Sequence, residues 1–154
     1  MKRLGGLWLV LMLSCGPGSP LIRGFPEGEL TIINSRGSSG GARFSLRVEI
    51  AESPRERSIG LMGIEGIDAD VGMVFLFEEP TQNPFFMKNT LFELDIAFWD
   101  ENMQIVDILT MTPCKKDPCP LYSPSARYVG AVEVRRGTFS RNGMRIGTTV
   151  VLKR

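Results

Sequence analysis

From residue 27 onward the chain is a series of short apolar runs separated by turn residues. The clearest run is residues 44–50. There Phe44, Leu46, Val48 and Ile50 alternate with Ser45, Arg47 and Glu49, the period-two signature of a half-buried strand. Residues 30–34 (LTIIN) precede it, and the small, polar stretch 35–41 between the two reads as a hairpin loop. Further strands are expected at 73–77, 85–88, 94–99 and 104–111, with Asp100-Glu101-Asn102 supplying turn chemistry. Residues 127–134 alternate again, placing Tyr128, Val132 and Val134 on one face and Arg127, Glu133 and Arg135 on the other. A last strand is expected at 148–152. Two short helices interrupt the series. Ser53, Pro54 and Glu56 stand at the N-cap, first and third positions of a capping box, and Gly60 should end that helix after about two turns. Residues 138–142 make one helical turn closed by Gly143. Eight short strands and no long βαβ spacing predict a single all-β domain over residues 27–154. A β-sandwich or partly closed barrel accommodates that many strands best.

Composition narrows the chemistry. The 154 residues include 18 Lys+Arg, 17 Asp+Glu and no His. Without histidine there is no Ser-His-Asp triad, no Cys-His pair and no imidazole metal site. A net charge of +1 without clustered basic residues gives no reason to expect nucleic acid. Gly60, Gly63, Gly66 and Gly72 form no phosphate loop, since Gly-Lys-Ser/Thr is missing, and no cofactor is expected.

The first residues read as an address. Met1-Lys2-Arg3 is a basic start, residues 4–13 are an apolar run too short to span a bilayer, and Ser14-Cys15 follows. Met12-Leu13-Ser14-Cys15 resembles the lipobox of bacterial lipoproteins. It implies removal of residues 1–14 as a signal peptide, lipidation of Cys15 and an envelope location facing the periplasm or exterior, with plain secretion as the alternative. Loss of Lys2 and Arg3 brings the 18 basic residues to 16 against 17 acidic, net −1. Residues 15–26, rich in Gly, Pro and Ser, are expected to form a lipidated, flexible tether to the membrane.

Cys114 and Cys119 then remain, an even pair in an oxidising compartment. Their spacing departs from the Cys-x-x-Cys redox motif, and zinc would need two further ligands that histidine cannot supply. A structural disulfide is the expectation, with redox and metal roles as alternatives.

Four stretches carry a resemblance to a known family. They are residues 51–62, residues 72–77, the run Phe86-Met87-Lys88-Asn89-Thr90 with Leu94-Asp95-Ile96 close behind, and the two-cysteine stretch with Tyr122 and residues 126–129. Together they resemble domain of unknown function 192, an uncharacterised bacterial family, over about residues 28–152. The resemblance implies a compact jelly-roll type of sandwich or barrel and supplies no activity. Glu93 stands where that family more often has Pro.

Lys88 and Asp95 are the charges of most interest, because both lie amid apolar residues. A buried Lys88–Asp95 ion pair is one expectation. The other is a ligand groove of Lys88, Asn89, Thr90 and Asp95 for a polar envelope ligand such as a glycan or peptidoglycan fragment, with Trp99, Tyr122 and Tyr128 as aromatic platforms. A non-catalytic binding or structural module is thus expected, with no catalytic residue assigned. The alternative is a small glycan hydrolase, which needs a second carboxylate at about 5–9.5 Å, with Asp100, Asp107 or Glu93 available. A weaker one is copper binding through Met62, Met73, Met87, Met103, Met111 and Met144. Their spacing favours core filling, so no metal site is expected.

Overall fold

The computed structural model describes residues 21–34 and 43–154. The expected signal peptide, Cys15 and the tether as far as residue 20 lie outside the described residues. In chain order the elements are β1 (Glu27–Ile33), β2 (Arg43–Ala51), α1 (Pro54–Ile59), β3 (Val71–Thr81), β4 (Phe85–Phe86), β5 (Leu94–Trp99), β6 (Ile105–Met111), β7 (Leu121–Tyr122), β8 (Tyr128–Arg135), α2 (Thr138–Arg141) and β9 (Thr149–Lys153). Seven strands form one sheet in the order β6-β5-β8-β3-β2-β1-β9, and β4 pairs with β7 in a small second sheet. The sheet curls until its two edges meet at one end. Gln104 and Thr149 make an isolated bridge, and the Val150 amide donates to the Met103 carbonyl at 2.8 Å. The result is a half-barrel, the partly closed form of the expected all-β class.

Three features differ from the expectation. β7 is a ninth strand, too short to carry a pattern. β2 and β3 pair in parallel, with α1 in the crossover between them. Residues 21–26, expected to belong to the flexible tether, are fastened to the domain. The Glu49 carboxylate, fully buried in β2, accepts the backbone amides of Ile22, Arg23 and Gly24 at 2.6–2.9 Å. Ile22 and Phe25 pack against the core. A buried carboxylate must find such donors, and the nearby segment supplies three.

The core has two parts, one on each face of the central strands. Leu46, Val48, Val74, Ala97, Trp99, Val132 and Val134 lie on one face, closed by Phe139 of α2. Leu61, Met73, Phe75, Leu94, Ile96, Phe98 and Ala131 lie on the other, beneath α1 and the β4–β7 pair. Because both faces are covered, all six residues of β5 are buried. Trp99 lies flat against Gly130, where an added Cβ would fall 2.2 Å from the indole. Only glycine fits there.

Candidate functional site

The capping box forms as the sequence implies. Ser53 Oγ accepts the Glu56 amide at 3.2 Å, and the Glu56 carboxylate accepts the Ser53 amide at 2.8 Å. Gly60, at φ 46°, turns the chain out of α1, and a Cβ there would press on the Phe75 ring. This exit, together with β4, leaves a cavity of about 310 Å³ against the sheet. Phe75, Phe77, Phe85 and Tyr128 wall it. Their rings meet edge to face, at 5.1 Å for Phe75–Phe85 and 5.2 Å for Phe77–Tyr128, a favoured aromatic geometry. The exposed Ser58, Asn83 and Phe86 border its opening.

The polar groups of the cavity are few. Tyr128 donates its hydroxyl to the Asn83 carbonyl at 2.8 Å, and burial pushes its phenol pKa up. Arg57 donates to the Leu76 carbonyl at 2.9 Å and to the Glu52 carbonyl, with its guanidinium 4.8 Å from the Phe77 ring centre. Arg23 fastens the helix exit by donating to the carbonyls of Gly60 and Met62. At the base lie Thr90 and Glu133, both buried. Glu133 is 5% exposed. Burial alone pushes its carboxyl up to about 8 from an ordinary 4.5, with no cation or hydrogen-bond donor among the described residues to offset it. No sealed side-chain polar atom among the described residues lacks a partner, so this unbonded carboxyl opens on the cavity. Wider hollows of about 420 and 510 Å³ exist elsewhere, but neither is lined by a buried ionisable group.

The expected groove residues separate. Lys88 is half exposed and pairs with Asp117, Nζ–Oδ2 2.8 Å. Asp95 is buried on the other face, where it accepts Thr110 Oγ1 at 2.9 Å and the Gly137 amide at 2.7 Å. The expected Lys88–Asp95 ion pair is therefore not formed. The strand alternation that sets Asp95 beside Ala97 and Trp99 points it away from the Lys88 face. Asn89 takes a left-handed conformation, φ 57°, and its carbonyl accepts the Gly63 amide at 2.8 Å. Of the four, Thr90 alone reaches the aromatic cavity, and of the three aromatic platforms, Tyr128 alone does. Trp99 is core, and Tyr122 bonds Thr112 through its hydroxyl.

The sequence pattern of DUF192, described as Uncharacterized ACR, matches residues 35–152. The chain belongs to the DUF192 family. Two crystal structures share its fold. A candidate transcription regulator from Sinorhizobium meliloti 1021 is 25% identical, with a TM-score of 0.75 over 83% of this chain and 95% of its own. A protein of unknown function from Novosphingobium aromaticivorans DSM 12444 is also 25% identical, with a TM-score of 0.74 over 96% of this chain and 99% of its own. No curated protein matches the sequence.

In this DUF192 domain the sequence-expected second carboxylates are occupied elsewhere. Glu93 pairs with Arg136, Asp100 accepts the amides of Asn102 and Gln104, and Asp107 accepts the Ser125 amide at 2.7 Å. Cys114 and Cys119 are bonded, Sγ–Sγ 2.07 Å, so the sulfurs beside Asp117 offer no thiolate to a metal. Met73, Met87 and Met111 pack in one half of the core, and Met103 and Met144 in the other. Glu133 is the residue that sequence reasoning missed. Alternation places it with Arg127 and Arg135, which reads as a solvent face. No local signal marks it, because its apolar register neighbours, Met73 and Ile96, are set by strand pairing.

Proposed function

We propose that this DUF192 protein is a non-catalytic binding module of the bacterial envelope, held to the membrane by lipid on Cys15, which takes a small ligand into the cavity between α1 and the sheet. The observation that carries the binding reading is that cavity, walled by four aromatic rings and containing a single carboxyl group. Small-molecule sites are largely apolar with a few placed polar groups and occupy about 300–1,000 Å³. The cavity falls at the lower end of that range. Among the described residues Glu133 is its only acidic lining residue, so two-carboxylate hydrolysis lacks its second acid there. The envelope location and anchor rest on the basic start, short apolar run and Ser14-Cys15 of the sequence.

A ligand screen by thermal shift on the full-length chain tests the binding reading, setting glycan and peptidoglycan fragments against small amphipathic molecules. Small molecules that raise Tm should lose that effect in Ser58→Trp, which fills the opening. A ligand whose effect survives Ser58→Trp binds elsewhere and ends the cavity reading. Mass spectrometry of membrane-extracted protein tests the anchor. An unmodified N-terminus at another residue would end it, whereas an acylated Cys15 would support it.

A further inference from the structure

We infer that the cavity recognises an amphipathic amine, its aromatic or alkyl body among Phe75, Phe77, Phe85 and Tyr128 and its ammonium on the Glu133 carboxyl. This rests on the cavity-binding reading and names the class of ligand. Glu133 is 5% exposed and opens on the cavity, with no partner among the described residues. A buried carboxyl is stable in its ionised form only beside a cation or hydrogen-bond donors, and among the described residues Glu133 has neither. The charged and titratable groups around it do not supply one. Its strand neighbours across β3 and β5 are Met73 and Ile96. Arg135, on the same face of β8, is exposed and borders a different hollow, while Tyr128 stays neutral. Arg57 of α1 is engaged by the Glu52 and Leu76 carbonyls. Its position over Phe77 shows that this aromatic wall already accepts a cation, and ring faces attract ammonium groups in the same way.

The proton balance gives the inference its test. The ligand arrives as an ammonium ion, the carboxylic acid of Glu133 loses its proton to solvent, and the ion pair forms. Binding below pH 8 therefore releases one proton. Affinity should rise about tenfold per pH unit through pH 6–7.5, level off above about 8, and fall again only where the free amine deprotonates near pH 10.

Calorimetric titration of the full-length chain with phenethylamine and its neutral isostere 2-phenylethanol, in buffers of different ionisation heat, measures this directly. Phenethylamine should bind more tightly than the alcohol and release close to one proton at pH 7. Glu133→Gln should abolish the proton release and the preference for the amine over 2-phenylethanol. The proton count in the unaltered protein needs no variant. If the alcohol binds as tightly and no proton is released, the amine assignment is overturned and the cavity reading stands. If neither binds, the amine assignment is likewise overturned, and the cavity reading is decided by the Ser58→Trp comparison.

Discussion

A carboxyl group set among aromatic rings imposes a pH dependence on the fold. Glu133 holds its proton to about pH 8 in the folded chain and to about 4.5 in the unfolded one. Between those values the folded state binds more protons, so stability must fall as pH rises and level off above about 8. Glu29, Glu56 and Asp70 are shifted the other way by their hydrogen bonds, so their effect is confined to lower pH. Glu133→Gln should therefore abolish the fall between pH 5 and 8, and should stabilise the protein by a few kcal/mol at pH 8.5. Urea denaturation of both proteins at pH 5 and pH 8.5 checks it. Lys88 and Asp95 should respond unequally. The Lys88–Asp117 pair is half exposed, and Lys88→Met should cost under about 1 kcal/mol. Asp95→Asn turns amide hydrogens towards donors that need an acceptor, and should cost roughly 1–3 kcal/mol by thermal melts.

Among the elements, α1 is the one whose local chemistry most directly shapes the site. Its capping box fixes where it begins and Gly60 where it ends, and the cavity is the space beneath that exit. Helix α1 has no buried residue of its own, so it depends on the cap, on Arg57 and on the grip of Arg23 on its exit. Opposite it, β8 shows how an element misleads. Its pairing with β3 shifts between Leu76 and Thr81, which turns Tyr128 towards the cavity although it shares parity with Val132 and Val134. The Cys114–Cys119 bridge stabilises the connection between β6 and β7. Closing so small a loop should contribute roughly 2 kcal/mol. Mild reduction should lower Tm by roughly 5–10 °C and leave the cavity ligand bound, as a scan with and without reductant will show.

At the scale of the molecule, segment 21–26 is fastened to the domain through the Glu49 carboxylate. It also ties that side of the chain to the wall of the cavity, since Arg23 contacts both Glu49 and the α1 exit. A chain beginning at Glu27 would leave the Glu49 carboxylate without its three amide donors. It should be about 2–4 kcal/mol less stable than one beginning at Leu21, a difference that urea unfolding of the two will measure. The curl of the sheet matters as much. Covering β3, β5 and β8 on both faces creates the interior in which a single carboxyl can be isolated.

Alternation in 44–50 and 94–99, the turn at Asp100-Glu101-Asn102 and the Ser53–Glu56 box were legible because each depends on neighbours within a few residues. They were enough for the all-β class, for α1 and for the pairing of Cys114 with Cys119. The parallel pairing of β2 with β3, the docking of 21–26 on Glu49 and the pairing of Lys88 with Asp117 depend on contacts across 20 residues or more, which no local period records. Glu133 shows the difference most plainly. In the sequence it is the polar member of an alternating strand. Burial under α1 and the β4–β7 pair makes it an isolated acid, because the cost of charge depends on what covers a residue rather than on what adjoins it in the chain.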